Sequence, residues 1–237
     1  MNLAPWLGVA VGAGLWLLSR RLPRHVLHHP CITPLETRQQ LMFLLESFQA
    51  VAQRYGVTWW LDYGTLLGAY RVGELLPWDH DADVGCLASD GPILETARSE
   101  FEGLGITVKR HGLRVGEARL DLDRWHRVEG SLRRDTGPRT PWWQWYAGRF
   151  DDFPAEAVAA PRRIRLGSGT FPCPADPRSF LRRRFPTLHL HERFCLPHKQ
   201  QCWFCPEFWR ESGRILLSRY QPEILSNEEG PAGIRES

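Results

Sequence analysis

Residues 77–85 read Pro-Trp-Asp-His-Asp-Ala-Asp-Val-Gly, which sets Asp79, Asp81 and Asp83 at every second position. Alternate residues of a strand point to one face, so a strand over 81–87 (DADVGCL) sends Asp81 and Asp83 the same way. Asp79 precedes it and can add an oxygen or cover the pair. Like charges this close repel, and a half-buried carboxylate is costly without a cation to compensate it. A hard divalent ion does this well. Magnesium takes a few carboxylates and fills its other positions with water and phosphate oxygens. The plain alternative is a solvated acidic loop. The interleaved Ala82 and Val84 and the flanking Trp78 and Cys86 argue against it.

A third acid from a neighbouring strand would complete such a site. Asp121 and Asp123, in Arg-Leu-Asp-Leu-Asp-Arg-Trp, repeat the alternate spacing, and either can serve. Upstream, Leu-Asp-Tyr-Gly-Thr-Leu-Leu-Gly-Ala-Tyr-Arg places Gly64 and Thr65 where a strand gives way to a helix. Such a turn offers free backbone N–H groups and close approach to a phosphate. Arg71, one or two turns on, can add a fixed positive charge. Asp62 and Glu74 read as structural or solvent-facing, and Cys86 as a packed thiol rather than a reactive one.

The pattern around these segments is α+β. Thr33-Pro34-Leu35-Glu36 starts a helix with a capping Thr and Pro at the first position, and Gly56 stops it. Strands over 57–64, 81–87, 106–110 and 118–125, a short helix over 65–71 and a longer one over 89–105 predict a small mixed sheet flanked by helices. Helices are also expected over 176–186 and 206–220, whereas 130–143 reads as a loop. An apolar content of 43% suits one core, and a net charge of +3 gives no polyanion-binding signal, so no nucleic acid partner is expected.

The ends differ from the middle. Residues 3–18 (LAPWLGVAVGAGLWLL) are uncharged and mostly apolar. They are slightly short for a membrane span, and no basic residue precedes them as in a cleaved signal. A single-pass membrane anchor is expected over 1–20, with a signal segment and a buried helix as alternatives. Residues 21–32 read as a linker. The arginines at 20, 21 and 24 follow the apolar run and would hold that flank in the cytoplasm. Residues 191–224 carry Cys195, His198, Cys202 and Cys205, whose spacing allows a structural zinc site, disulfides or free thiols. Residues 225–237 read as a disordered tail.

Taken together, WWLDYGTLLGAYRVGELLPWDHDADVG resembles the signature of the LicD family of the nucleotidyltransferase-like superfamily, closest to its fukutin-related members. RLDLDRW is similar to the family's third-acid strand, with Asp121 the better match and Asp123 an extra acid. The resemblance covers roughly residues 35–190 and implies a catalytic domain over 33–190. It also implies transfer of a phospho-alcohol, of ribitol phosphate or phosphocholine type, from a CDP-activated donor to a hydroxyl of a glycan acceptor. Asp81, Asp83 and Asp121 would be catalytic, and Asp79, Asp81, Asp83 and Asp121 would hold Mg2+ or Mn2+. Gly64, Thr65 and Arg71 would bind donor, with Arg182, Arg183 and Arg184 as further phosphate-binding candidates. Golgi or endoplasmic-reticulum residence would follow. The rival readings are a DxD-type glycosyltransferase using a sugar nucleotide, and an inactive membrane-anchored glycan-binding protein.

Overall fold

The computed structural model describes residues 31–135, 152–185, 187–197 and 200–225. The apolar segment 3–18, the linker up to residue 30, His198 and the tail from residue 226 lie outside the described residues. Among those described, no helix is long and apolar enough to cross a membrane.

Helix α1 (Leu35–Arg54) buries Leu41, Leu44, Leu45, Phe48, Val51 and Ala52, whose three- and four-residue spacing makes one apolar face. It ends at Tyr55, and Gly56 follows at φ 65°, where glycine costs least. Its start departs from expectation. Pro34 holds the capping position, and Thr33 has other work. The Thr33 hydroxyl donates to the Asp79 carbonyl at 2.6 Å, and its N–H donates to the Pro77 carbonyl at 2.6 Å. The residue expected to cap the helix ties it instead to the acidic segment.

The expected mixed sheet is present, and larger than expected, with seven strands among the described residues. Strand β1 (Trp59–Leu61) pairs antiparallel with β2 (Asp81–Leu87), and β2 pairs parallel with β5 (Ala118–Val128). Beyond β5 lie β4 (Gly112–Val115) and β3 (Thr107–Lys109), both antiparallel. The far half of β5 pairs with β6 (Ser131–Arg134), within the stretch expected to be a loop, and β6 pairs with β7 (Phe153–Pro154). The helix expected over 89–105 is broken into a 3-10 turn and the short helices α3 (Ile93–Thr96) and α4 (Arg98–Gly103). Ala97 closes the one and opens the other. A separate three-stranded sheet joins β8 (Arg162–Leu166), β9 (Gly169–Cys173) and β10 (Ile224–Leu225). Leu225, expected in a disordered tail, thus belongs to a strand.

Alternation in β2 and β5 divides the seven-stranded sheet. Ala82, Val84, Leu120 and Leu122 are buried in the core, while Asp81, Asp83, Asp121 and Asp123 point to the other side. Across the β1–β2 pair, the Trp60 indole lies over Gly85, where a Cβ would stand 2.5 Å from the ring. Helix α2 (Tyr63–Val72) follows β1 directly and brings its N-terminus to the acidic side.

The C-terminal segment closes over this side. Helix α5 (Pro177–Arg184) is capped by Asp176, whose carboxylate accepts from the Ser179 N–H. After the short α6 (Thr187–Leu190), helix α7 (Pro206–Leu217) packs Phe208 on Trp78 at 4.4 Å between ring centroids. Cys205 is disulfide-bonded to Cys31, 174 residues away. Of the readings left open for the cysteines of 191–224, Cys205 takes the disulfide one, with a partner, Cys31, that lies outside that segment.

Candidate active site

A cavity of about 450 Å³ opens where β2, the N-terminus of α2 and the segment after α6 meet. Its wall includes Tyr63, Gly64, Asp79, Asp81, Asp83, Asp123 and Arg134. The parallel β2–β5 register makes this convergence. Asp81 faces Arg119, Asp83 faces Asp121 and Gly85 faces Asp123, and registered partners share a face. The sheet therefore brings Asp81, Asp83, Asp121 and Asp123 together on one side. Of the two candidate third acids, Asp123 lines the cavity and Asp121 is not among its lining residues. Asp121 lies instead beside Arg119, whose Nε is 3.1 Å from its Oδ1.

Arg119 also donates to Asp81 Oδ2 at 2.7 Å, so its guanidinium bridges Asp81 and Asp121. A cation thus already stands between two of the acids. Burial and the surrounding carboxylates of Asp81, Asp123, Asp79 and Asp62 push the Asp83 carboxyl well above the usual range. Burial, together with Asp81 and Asp123, likewise raises Asp121 against the pull of Arg119. The donor set is all oxygen and carries surplus negative charge. It fits a hard divalent ion.

The turn into α2 also has tasks within the protein, and Gly64 lines the cavity. Asp79 is buried, and a Cβ on Gly64 would stand 2.5 Å from Asp79 Oδ2. The close approach that Gly64 permits is used by a carboxylate of the protein itself, set at the positive end of a helix. Thr65 is also buried, and its hydroxyl accepts the Asp83 N–H at 2.8 Å, fixing the acidic strand to α2. Arg71, expected to hold a donor phosphate, reaches the cavity wall but donates to the Glu192 carbonyl at 3.0 Å and the Phe194 carbonyl at 2.7 Å. It also donates to the Cys195 sulfur at 3.2 Å. It straps the C-terminal segment to α2.

The three candidate arginines at the end of α5 separate. The Arg184 side chain, 3% exposed, pairs with the fully buried Asp62, its Nε 3.0 Å from Oδ1. It also stacks over the Tyr63 ring at 4.1 Å. Arg182 pairs with Glu192 at 3.0 Å. Asp62 caps α2 by accepting the Tyr63 N–H at 2.8 Å, and burial pushes its carboxyl up to about 6 against the pull of Arg184. Cys86 is packed as expected, its thiol pushed up to about 12 by burial.

Sequence reasoning missed Tyr63, Arg119 and Arg134. Tyr63 has φ 37°, a left-handed value that a bulky residue adopts only under strain. Its hydroxyl accepts from Arg134 at 3.3 Å, and Arg134 pairs with Asp123 at 2.6 Å. The strained Tyr63 leaves no trace in the sequence. Arg119 did leave one, since it alternates with Asp121 on the same strand.

Residues 56–176 match the family model described as LicD/FKTN/FKRP, nucleotidyltransferase domain. An uncharacterized protein of Rickettsia prowazekii is 34% identical over 190 residues, which cover 77% of this chain and 66% of that protein. Human ribitol 5-phosphate transferase FKRP is 48% identical over 53 residues, 22% of this chain and 11% of its own length. The lipopolysaccharide cholinephosphotransferase LicD of Haemophilus influenzae is 46% identical over 48 residues, 19% of this chain and 18% of its own. The chain spans 56% and 66% of the lengths of the two Rickettsia relatives it matches.

Proposed function

This chain belongs to the LicD/FKTN/FKRP nucleotidyltransferase-domain family, and from that premise we propose that it transfers a phospho-alcohol from a CDP-activated donor to a hydroxyl of a glycan acceptor. One observation carries the reading: Asp79, Asp81, Asp83 and Asp123 converge on a single cavity at the N-terminus of α2. The activities for which the FKRP and LicD relatives are named support the reaction class. In the reaction, an acceptor oxygen bonds to the phosphorus that carries the alcohol. The bond from that phosphorus to the bridging oxygen breaks, CMP leaves, and the hydroxyl proton passes to solvent or to a cavity carboxylate.

Asp79, Asp81, Asp83 and Asp123 would hold Mg2+ or Mn2+, with Asp121 behind them. Bound there, the ion supplies charge neutralisation for the donor diphosphate and leaving group. The protein does the positioning. Thr65 fixes the Asp83 backbone, Thr33 fixes that of Asp79, and Gly64 lets the Asp79 carboxylate sit against the helix. Arg71 and Arg134 both line the cavity and would hold donor phosphate, Arg134 from between Asp123 and Tyr63. Leu67, Leu76 and Trp78 make an apolar flank that excludes water.

Incubation with labelled CDP-ribitol, CDP-choline and UDP-sugars, with and without EDTA, tests this. EDTA-sensitive CMP release supports it. UDP release would favour a DxD glycosyltransferase, and no turnover would favour a binding protein.

A further inference from the structure

We propose that an aromatic patch on the C-terminal segment, Trp203, Phe204 and Trp209, docks the domain on the surface of a lipid bilayer. The three side chains are 50%, 80% and 41% exposed. The Trp203 and Trp209 rings lie 6.0 Å apart and Trp209 Nε1 donates to the Trp203 carbonyl at 3.1 Å, so these two share one surface, and Phe204 follows Trp203 directly in the chain. Leu216, seven residues on from Trp209, shares its stripe of α7, and Leu217 beside it is 83% exposed. Exposed apolar surface gathered in this way marks a contact site rather than ordinary scatter.

Several features select a bilayer. Indole and phenyl rings favour the headgroup boundary, and the aliphatic Leu216 and Leu217 extend the patch with groups that acyl chains solvate. Arg210 and Arg214 flank it on α7, paired with Glu207 at 3.9 Å and Glu211 at 2.8 Å, and their long stems can keep these charges in water. The chain outside the described residues also leads there. Cys31 is bonded to Cys205, the neighbour of Phe204, so residue 31 is fixed at the patch. The sixteen uncharged residues 3–18 lie only residues 19–30 further upstream, a reach of roughly 40 Å at most. Any bilayer that takes up 3–18 is within range of the patch. Because that run is short for a span, a second apolar contact adds what it lacks. This inference stands apart from the transferase reading.

The test uses the full chain reconstituted in phosphatidylcholine vesicles containing brominated lipid, with tryptophan quenching as the readout. Eleven tryptophans contribute. If Trp203 and Trp209 sit in the bilayer, the double variant Trp203→Ser, Trp209→Ser lowers the quenched fraction of emission. Phe204→Glu, which keeps every indole, also lowers it by lifting the patch. A quenched fraction that rises in the double variant and stays unchanged in Phe204→Glu would overturn the proposal. It would mean that water, a second copy of the chain or the segment 3–18 itself covers the patch. An unchanged melting temperature for Phe204→Glu separates lifting from unfolding.

Discussion

The carboxylate of Asp79 stands over Gly64, with Oδ2 2.5 Å from where a Cβ of residue 64 would be. Glycine is required here by a side chain of the protein, which it lets settle against the start of α2. Gly64→Ala improves helix propensity by up to about 1 kcal/mol, yet it must push Asp79 away. The expected result is a melting temperature within a few degrees of wild type and turnover down about tenfold or more. Added to Asp79→Ala it should cost nothing further, because the two substitutions act on one group. Kinetics and thermal melts of the two single variants and the double variant check this.

Asp62 carries a pH signature. Its folded value of about 6 lies above the 3.8 of the free side chain, so the protonated form favours the fold. That contribution is complete below about pH 4 and is lost as pH rises through about 6, a change of about 3 kcal/mol. Asp62→Asn keeps the helix cap and removes the titration. Between pH 4 and pH 7, denaturant unfolding should show the variant gaining on wild type by that amount. A constant difference across the range would count against the assignment.

Arg119 bridges Asp81 and Asp121 from an exposed position. Exposed ion pairs are each worth less than about 1 kcal/mol, so the guanidinium yields to a divalent ion but competes with it. Arg119→Gln should therefore tighten Mn2+ binding about fivefold by calorimetry. Weaker binding would make Arg119 a helper of the ion rather than its rival.

The bond between Cys31 and Cys205 closes a loop of 174 residues in sequence separation. Its loss should cost about 2–5 kcal/mol. Cys31→Ser, Cys205→Ser and the double variant should melt at one lowered temperature. Reductant should lower only the wild type. Additive losses in the double variant would argue for separate roles.

What the sequence disclosed was local. The strand over 81–87 was legible because its acids and aliphatics alternate, and α1 because its leucines recur at helical spacing. Strands β4 and β6 were not. Gly112 reads as a turn residue, yet a Cβ there would stand 1.9 Å from the Leu120 carbonyl, so it belongs to a strand by tertiary contact alone. Ser131–Arg134 has a single apolar residue, the buried Leu132, too little for a pattern, and is extended because the long β5 offers it an edge. In the site, residue types pointed to an acidic centre but not to their partners. Thr33, Gly64, Thr65 and Arg71 all have tasks set by groups distant in sequence or across a turn. The choice between Asp121 and Asp123 depended on where the cavity opens, which the alternation of β5 leaves undecided.

The central claim is that aspartates of β2 and β5 gather a divalent ion that holds a nucleotide diphosphate. Titrating CDP into the protein by calorimetry, with Mn2+ present, after EDTA, and with Asp83→Asn, addresses it most directly. The account predicts saturable uptake that needs Mn2+ and vanishes in an Asp83→Asn protein that melts no lower than wild type. CDP uptake indifferent to both EDTA and the substitution would contradict it.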